Sequence, residues 1–406
     1  FGVSNGERPK AAFKVHVAHR GEEELSEPEP VLTAQVEGPG GVALSSSPRV
    51  RRASIDEKAL KHTGSTIEMR WMAPGPRNTL VVAKQGGGPE VFERFKECVE
   101  VLIRLEASVF VEPEMHAMLL EQGVVEPGSV HTWNSPFSSL IPVEVAESLD
   151  LAVTFGGDGT VLWVASLLQE CSVPPMLSFN MGSLGFMTPF GPDSLSQRLE
   201  RILHSGFQLM LRHRLRCRIL RASEGNGGVG SLQRHEGGFE QAKVCLNEVV
   251  IDRGMSPFLT NLECYIGDML ITHVQGDGII VSTPSGSTAY SLAAGGSMVH
   301  PSVPCMLFTP ICPHSLSFRP MIFPDSVCLR VQVPKQARGT MWASFDGKDR
   351  HQLRAGDAIL IDVSTLPIPT ICNENSTSDW FASVSENLHW NVRRVQGARD
   401  APPTSE

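Results

Sequence analysis

Several features that would place the chain in a common class are missing from the sequence. Its nine cysteines form no C-x-x-C pair, which indicates reduced thiols rather than a disulfide framework or a zinc site. No apolar run approaches the ~18–20 residues that cross a bilayer, so we expect a soluble protein with no membrane partner. Basic residues number 35 against 44 acidic ones, for a net charge of −9. This balance argues against a nucleic-acid partner, because clustered Lys and Arg bind phosphate backbones.

Targeting and metal-binding motifs are also missing. Residues 1–20 lack the continuous apolar core of a secretory signal, and an acidic run follows at 22–24, so we expect a cytoplasmic protein. Asp349 follows the only Gly-Lys pair, where a Walker A motif needs Ser or Thr. His235 has no second His at zincin spacing. The sequence therefore predicts no metal site built from protein ligands alone.

One glycine pattern has the letters of a dinucleotide fingerprint but not its context. Residues 225–230 read G-x-G-x-x-G, yet no amphipathic helix follows them. A dinucleotide fingerprint needs that helix N-terminus to bind the pyrophosphate. We interpret residues 223–241 as an exposed, Gly-rich loop.

Length and composition predict two or three folded units within the 406 residues. The first 70 residues are rich in Pro, Gly, Ser and Glu, which is typical of a disordered extension. Two arginines precede Ser54 there. This spacing either marks a regulatory phosphorylation site or is one of the chance matches that are common in disordered tails. The predicted division is a regulatory extension (1–70), an α/β domain (71–205), a β-rich domain (206–375), a C-terminal helix that packs back on the first domain (376–395), and a flexible tail (396–406).

Apolar periodicity separates the two domains. In the first, strand-like runs at 79–83, 109–111 and 149–155 alternate with helical spacing at 91–105 and 161–169. This alternation predicts an α/β domain with a doubly wound, mostly parallel sheet. From about residue 212 onward, short β-branched runs between turn residues predict an antiparallel, β-rich domain. These runs are 244–251, 278–282, 327–333 and 358–363.

The strongest chemical signal is G-G-D-G-T at residues 156–160, between an apolar strand and an apolar-periodic helix. Its three glycines let backbone N–H groups turn toward a ligand without obstruction by Cβ, which suits phosphate. Asp158 then lies at the carboxyl end of a strand, where open α/β sheets bind ligands. A carboxylate there can coordinate Mg²⁺ or accept a proton from an attacking hydroxyl. The alternative is an ordinary strand–helix turn with Asp as a cap.

Three further segments interrupt apolar strands with polar or glycine residues. G-S-L-G-F at 182–186 follows a strand and is either a binding loop or a tight turn. Asn247-Glu248 lies inside an apolar run and either caps an internal turn or meets a ligand. T-P-S-G-S-T-A-Y at 283–290 follows G-D-G at 276–278. Its Tyr290, one of only two tyrosines, is either a ligand contact or a half-buried core ring.

In this order and spacing, the four segments resemble the NAD kinase family, and the match is closest to its animal cytosolic type. Residues 309–320 and the S-F-D-G at 344–347 also resemble the family, so that the likeness covers roughly residues 78–394. It implies ATP-dependent phosphorylation of the adenosine-ribose 2′-hydroxyl of NAD to give NADP, with Mg²⁺ accompanying ATP. It also implies an α/β domain followed by a β-rich domain, NAD between them, and a homo-oligomer, with a tetramer plausible.

Carried over by position, the resemblance implies a set of site residues. Asp158 would orient or deprotonate the 2′-hydroxyl. Asn247 and Glu248 would contact the diphosphate and ribose region, and Asp277 the nicotinamide side. Residues 288–290 would bind the adenine half. The complete cofactor-binding set is Gly156, Gly157, Gly159, Thr160, Phe186, Asn247, Glu248, Gln275, Asp277, Ser285, Thr288, Ala289, Tyr290 and Ala293.

Two positions depart from the family pattern, and two other functions compete with this interpretation. Asn180 stands where related animal enzymes have His, and Ala293 where some relatives have Ser. A lipid kinase of the diacylglycerol or sphingosine class shares the G-G-D-G-T turn, but the Asn-Glu strand and the T-P-S-G-S-T-A-Y segment argue against it. So does the lack of a basic amphipathic helix. A non-catalytic NAD sensor would bind the nucleotide without forming product.

Overall fold

The computed structural model describes residues 13–17, 67–71, 75–133, 140–169, 171–193, 195–222, 242–337 and 339–392. Ser54 and the 223–241 loop lie outside these residues. The described α-helices are α1 (Pro89–Arg104), α2 (Pro113–Glu121), α3 (Val143–Ser148), α4 (Asp158–Leu167), α5 (Leu195–His204), α6 (Tyr290–Ala293) and α7 (Ser376–Leu388), with a 3₁₀ turn at Ser285–Thr288.

The described strands form three sheets. They are β1 (Phe13–Val17), β2 (Ile67–Trp71), β3 (Asn78–Ala83), β4 (Ser108–Val111), β5 (Val130–His131), β6 (Leu151–Phe155), β7 (Met176–Phe179), β8 (Phe207–Arg212), β9 (Leu215–Leu220), β10 (Lys243–Cys245), β11 (Glu248–Asp252), β12 (Thr260–Ile266), β13 (Met269–Gly276), β14 (Gly278–Ser282), β15 (Cys305–Ile311), β16 (Met321–Pro324), β17 (Leu329–Gln332), β18 (Met341–Phe345), β19 (Lys348–Leu353), β20 (Ala358–Val363) and β21 (Ile368–Ile371).

The first domain is built on a nine-stranded sheet with the order β1-β2-β8-β21-β7-β6-β3-β4-β5. All pairs from β21 to β5 are parallel, and the pairs from β21 to β1 are antiparallel. Helices cover both faces. Val81 of β3 packs in one core with Phe95 of α1, whereas its neighbours Leu80 and Val82 pack in the other core with Val164 of α4. The predicted doubly wound, mostly parallel sheet is therefore confirmed.

Local sequence explains why the helices of this domain begin and end where they do. Pro89 occupies the first turn of α1, where its missing N–H costs nothing, and Arg104 lies in the last turn near the negative end of the helix dipole. Its buried side chains recur at helical spacing on one face: Phe95, Cys98, Val99, Val101 and Leu102. No described helix is both long and apolar enough to span a bilayer.

The second domain consists of two six-stranded antiparallel sheets, β10-β9-β20-β17-β12-β13 and β16-β15-β14-β11-β18-β19. The sheets share one core, in which Cys217 and Ile219 of the first sheet join Val249 and Ile251 of the second. Alternation along each strand directs these apolar side chains inward. The predicted β-rich domain is confirmed, and all nine cysteines are free thiols.

The chain enters and leaves the second domain through the first sheet. β8 and β21 belong to that sheet, although both fall within the predicted 206–375 unit. β1 and β2 lie in the predicted N-terminal extension and add two more antiparallel strands. The sequence of each of these short strands does not show which sheet it joins, because sheet membership depends on the partner strand with which it pairs. The domain boundaries therefore stay predictions.

Hydrogen bonds at Gln169 and Arg214 are among the contacts that hold the domains together. The Gln169 side-chain amide exchanges two hydrogen bonds with the backbone of Val244, at 2.8 and 3.0 Å. Arg214 is fully buried and donates to the carbonyls of Leu168 and Cys171.

The C-terminal helix α7 begins at Ser376 because Asn375 caps it. Ser383 Oγ of α7 donates to Gly185 O at 2.9 Å, which places this helix beside the loops that follow β7.

Candidate active site

The G-G-D-G-T turn connects β6 to α4, and Asp158 is the first residue of the helix. A Cβ on Gly156 would lie 2.1 Å from Thr160 Oγ1, so this position requires glycine. No side chain caps α4, and Gly157 and Gly159 are exposed. The first N–H groups of a helix have no intrahelical partner and carry the positive end of its dipole. This end of α4 can therefore bind a phosphate.

The Asp158 carboxylate is clamped by the loop that follows β7. Its two oxygens accept hydrogen bonds from the backbone N–H groups of Phe186, at 3.0 Å, and Met187, at 2.9 Å. A Cβ on Gly185 would lie 2.3 Å from Asp158 Oδ1, so the loop approaches this closely only because residue 185 is glycine. Burial raises the pKa of Asp158, while these N–H groups and Arg212 act to lower it. The carboxylate is fixed in orientation by backbone groups.

Arg212 is a site residue that sequence reasoning missed. It lies at the end of β8 and is 4% exposed. Its guanidinium donates to Phe186 O at 2.9 Å, to Ser285 Oγ at 3.0 Å and to Thr370 Oγ1 at 3.2 Å. Burial lowers the pKa of Arg212, and the Asp158 charge opposes that effect. One cation therefore joins the loop after β7, the T-P-S-G-S-T turn and β21.

The Asn247-Glu248 pair is held by Asp346, which the resemblance named without a role. The Asp346 carboxylate accepts three backbone N–H groups, from Leu246 at 2.8 Å, Asn247 at 2.7 Å and Glu248 at 3.1 Å. Asn247 Oδ1 and Glu248 Oε2 are buried, and neither has a hydrogen-bond partner in the described residues. Burial, then the Asp346 charge, raise the pKa of Glu248 to about 7. Unpartnered buried polar atoms are costly, so this pair is arranged for a ligand.

The T-P-S-G-S-T turn packs directly on this pair. A Cβ on Gly286 would lie 2.2 Å from Asn247 O, so the contact requires glycine. Ser285 is buried and bonded to Arg212, and Thr288 Oγ1 donates to Ser285 O at 3.3 Å. Ala289 precedes Tyr290, which begins α6 and is 44% exposed. Such an exposed ring is not part of the core.

The remaining predicted residues lie at the border of this assembly. Asp277 accepts a hydrogen bond from Arg253 Nε at 2.7 Å, so part of its carboxylate is engaged by a cation. Among the described residues, Gln275 makes no side-chain hydrogen bond, and its carbonyl accepts from His314 N. Ala293 is exposed at the end of α6. The contacts described above bring together residues 156–160, Phe186, Asn247, Glu248 and Ser285–Thr288, and they do not reach Gln275 or Ala293.

Asn180, which departs from the family pattern, has a structural contact. Its side-chain amide donates to Thr188 O at 3.4 Å and its N–H donates to Phe190 O at 2.8 Å. Both bonds close the loop that clamps Asp158. The described residues contain no cluster of three or more His, Cys, Asp or Glu side chains suited to a metal ion.

A parallel sheet with a glycine-rich, uncapped turn at its carboxyl edge is typical of nucleotide-binding α/β proteins. Models of the ATP-NAD kinase N-terminal domain and the ATP-NAD kinase C-terminal domain match residues 79–207 and 246–372. The chain belongs to the NAD kinase family. The resemblance drawn from the motifs is confirmed at this level. The animal cytosolic type stays a prediction.

Individual relatives agree with the family. Putative NAD kinase 3 of Oryza sativa subsp. japonica is 46% identical over 345 residues, which are 84% of this chain and 66% of the relative. ATP-NADH kinase YEF1 of Saccharomyces cerevisiae is 49% identical over 249 residues, 61% of this chain and 50% of the relative. The crystal structure of yeast NADH kinase complexed with NADH matches with a TM-score of 0.68 and 30% identity, covering 82% of this chain and 92% of that one. The chain thus spans about half to two thirds of the length of these two curated relatives.

Proposed function

We propose that this chain transfers the γ-phosphate of ATP to the adenosine-ribose 2′-hydroxyl of NAD, giving NADP and ADP. The observation that carries the proposal is the Asp158 carboxylate, held by two backbone N–H groups at the uncapped N-terminus of α4. A helix N-terminus suits the phosphates of ATP, and a fixed carboxylate beside it suits the incoming hydroxyl.

The reaction needs little covalent chemistry from the protein. The 2′-oxygen forms a bond to the γ-phosphorus, the bond from that phosphorus to the β,γ-bridging oxygen breaks, and ADP leaves. Asp158 orients the 2′-hydroxyl and accepts its proton as the new bond forms. Gly157 and Gly159 would offer their backbone N–H groups to the phosphates, and Thr160 its hydroxyl, while the N–H groups of Gly156 and Thr160 are already bonded to Phe179 O and Gly157 O. Positioning and neutralised phosphate charge supply most of the rate enhancement.

The acceptor NAD would bind where the second domain presents its unpartnered groups. Asn247 Oδ1 and Glu248 Oε2 would accept hydrogen bonds from the ribose and diphosphate region, and Tyr290 would lie against the adenine half. Asp277 would contact the nicotinamide side. Because two of the matched relatives are named as NADH kinases, NADH is a second acceptor to test alongside NAD⁺.

The substrate donor is MgATP, and the metal comes with the nucleotide. Asp158 would be the protein carboxylate that shares Mg²⁺ with the phosphates. We further propose a homo-oligomer, with a tetramer as the first arrangement to test, and a cytoplasmic location. Size-exclusion chromatography with light scattering measures the first, and microscopy of the tagged full-length protein measures the second.

The test of the activity is direct. The purified chain is incubated with NAD⁺ and MgATP, and NADP⁺ is measured with a dehydrogenase that responds to NADP⁺ and not to NAD⁺. Parallel reactions contain NADH, or diacylglycerol vesicles and sphingosine in place of NAD⁺. NADP⁺ formation supports the proposal. A folded chain that binds NAD⁺ and forms no product would be a sensor, and phosphorylation of a lipid alone would favour the lipid-kinase alternative; either outcome overturns it.

A further inference from the structure

A cavity of about 640 Å³ lies inside the first domain, separate from the Asn247-Glu248 pair. Its volume is within the ~300–1,000 Å³ typical of small-molecule sites. It is formed by the segments that follow β3 and β4, with side chains from α1, α2 and α4. Three aromatic rings line it, those of Phe92, Trp133 and Trp163. None of the predicted site residues lines this cavity.

The cavity adjoins the proposed phosphate site. Lys84, which lines the cavity, donates its backbone N–H to Phe155 O at 2.8 Å, directly before the G-G-D-G-T turn. The Lys84 Cβ is 3.1 Å from the place a Cβ on Gly156 would occupy. Trp163 lies on α4, the helix that begins at Asp158. A ligand in the cavity is therefore next to the N-terminus of α4.

Trp163 and Glu112 form an ordered polar and aromatic pair at the cavity wall. Trp163 Nε1 donates to Glu112 Oε1 at 2.7 Å. Lys348 Nζ of the second domain lies 4.6 Å from the centroid of the Trp163 ring. Glu112 Oε2 has no hydrogen-bond partner among the described residues. A fixed indole ring beside a free carboxylate oxygen offers a purine both a stacking surface and a hydrogen-bond acceptor.

The loop between β3 and α1 forms the wall of the cavity nearest the G-G-D-G-T turn. It contains Gly86 and Gly87, and Gly86 has a φ of +64°, a conformation that favours glycine. Gly87 N donates to Lys84 O at 3.0 Å, which makes the loop a tight turn. Exposed backbone N–H groups and the Lys84 side chain supply positive charge where phosphates would pass from the cavity to α4.

We propose that this cavity binds the adenine and ribose of the phosphoryl donor. In this arrangement Trp163 stacks on the base, and Glu112 accepts a hydrogen bond from the exocyclic amino group of the base. The donor phosphates then run over Lys84, Gly86 and Gly87 to the N-terminus of α4. This inference rests on the proposed function and adds a binding site for the donor base in the first domain. The donor base thus lies in the first domain, away from the Asn247-Glu248 pair, and the two nucleotides meet at Asp158.

Removing the ring tests the stacking contact. Base–aromatic stacking contributes ~1–3 kcal/mol, so Trp163→Leu raises the KM for MgATP about fivefold or more at saturating NAD⁺. The KM for NAD⁺ stays within about twofold of the parent, because the ring is not in the acceptor site. Trp390→Leu, the same substitution at a residue that is 57% exposed, leaves both KM values at the parent level. A parent-like KM for MgATP in Trp163→Leu overturns the stacking role.

Changing the carboxylate tests base recognition while the ring stays in place. In Glu112→Gln the amide oxygen can keep the hydrogen bond from Trp163, and the amide N–H₂ replaces the free oxygen. Adenine presents a donor at its 6-position and guanine an acceptor, so the ratio of kcat/KM for GTP to that for ATP rises about tenfold. Glu121→Gln, at an exposed position of α2, keeps the parent ratio. An unchanged ratio in Glu112→Gln overturns the recognition role.

A binding measurement separates this proposal from the proposed function. ATP is titrated in the Asp158→Asn background with NAD⁺ present, and quenching of tryptophan fluorescence is followed. Loss of most of the quench in Trp163→Leu supports the cavity even where the parent forms no NADP⁺ and the proposed function has failed. An equal quench with and without Trp163, from a protein that melts at the parent temperature, overturns the cavity while leaving the function standing. If Trp163→Leu melts early, the Glu112→Gln specificity ratio decides.

Discussion

The backbone N–H of Phe186 donates a hydrogen bond of 3.0 Å to the Asp158 carboxylate. The carbonyl of the same residue accepts from Arg212 at 2.9 Å. Phe186 therefore links the half-buried Asp158 carboxylate and the buried Arg212 guanidinium through the peptides on either side of its Cα. Because both partners are fixed by other elements, the loop after β7 has little freedom to move. The orientation of the carboxylate depends on that rigidity.

Replacing Asp158 by Asn should preserve the fold and remove catalysis. The amide keeps the size of the side chain but cannot accept the hydroxyl proton, and a positioned base contributes ~10²–10⁴-fold to a rate. We expect turnover to fall by ~10²–10⁴-fold, measured as NADP⁺ formation, in a protein that still folds but has a somewhat lower Tm, because the amide N–H₂ cannot accept one of the two backbone N–H groups that the carboxylate binds. Asp268→Asn, in the exposed β12–β13 turn, is the matched control. Near-parental turnover in Asp158→Asn would contradict the assignment.

Two glycines in one loop give a matched pair of variants. A Cβ on Gly185 would lie 2.3 Å from Asp158 Oδ1 and 2.4 Å from Thr188 Oγ1, whereas a Cβ on Gly182 meets nothing within 4 Å. Gly185→Ala should displace the carboxylate and reduce kcat by about tenfold or more, while Gly182→Ala retains parental kcat. Steady-state kinetics on both variants measure this difference. Equal kcat values would show that the clamp does not set the position of Asp158.

Substituting Arg212 by Lys tests the buried bridge. Lysine keeps the positive charge but cannot donate from three directions to Phe186, Ser285 and Thr370. Each lost hydrogen bond to a charged group costs ~1.5–3 kcal/mol, so the free energy of unfolding should fall by about 2–4 kcal/mol and kcat should fall with it. Urea unfolding and kinetics measure both. The control is Arg201→Lys, at an exposed position of α5, for which neither quantity should change.

Glu248 should make stability depend on pH. Its pKa is raised from 4.5 to about 7 by burial and by Asp346, so the folded state binds the proton more tightly than the unfolded state. The stability that this proton contributes is complete below pH 4.5 and is lost as the pH rises through 7. Glu248→Gln is always neutral and escapes this loss.

The measurement compares Tm for the parent and Glu248→Gln from pH 4.5 to pH 8. The Tm of the variant relative to the parent should increase across pH 4.5–7 and then level off. Glu121→Gln, at an exposed position, should show no such trend. A constant difference between Glu248→Gln and the parent over this range would mean that Glu248 titrates with its ordinary pKa.

Local sequence predicted those parts of the site that depend on neighbouring residues. The G-G-D-G-T turn is recognisable because a strand and a helix flank it directly, and β20 begins and ends at the predicted residues 358 and 363. The α7 helix begins at Ser376, since Asn375 caps it and polar residues fill its first turn. Local propensity and capping were sufficient for these elements.

Contacts between distant segments could not be predicted in the same way. The partners of Arg212 lie 26, 73 and 158 residues away in the chain. Asp346 accepts hydrogen bonds from three backbone N–H groups that lie 98 to 100 residues away in the chain. A basic residue at a strand end and an acidic residue before a glycine are common, and only the folded topology gives them these partners. Ionic groups of this kind can be identified only when the structure shows which partners surround them.

The position of β21 has a consequence for the order of folding during synthesis. β21 lies between β8 and β7 and pairs with both, yet it is separated from β8 in the chain by the entire second domain. Until the ribosome has made residues 368–371, β8 has no neighbour on that side and the edge of β7 is open. The first domain to be translated is therefore completed last, after the β-rich domain has had the chance to fold on its own strands. A chain that ends before β21 would leave two strand edges free to pair with other molecules.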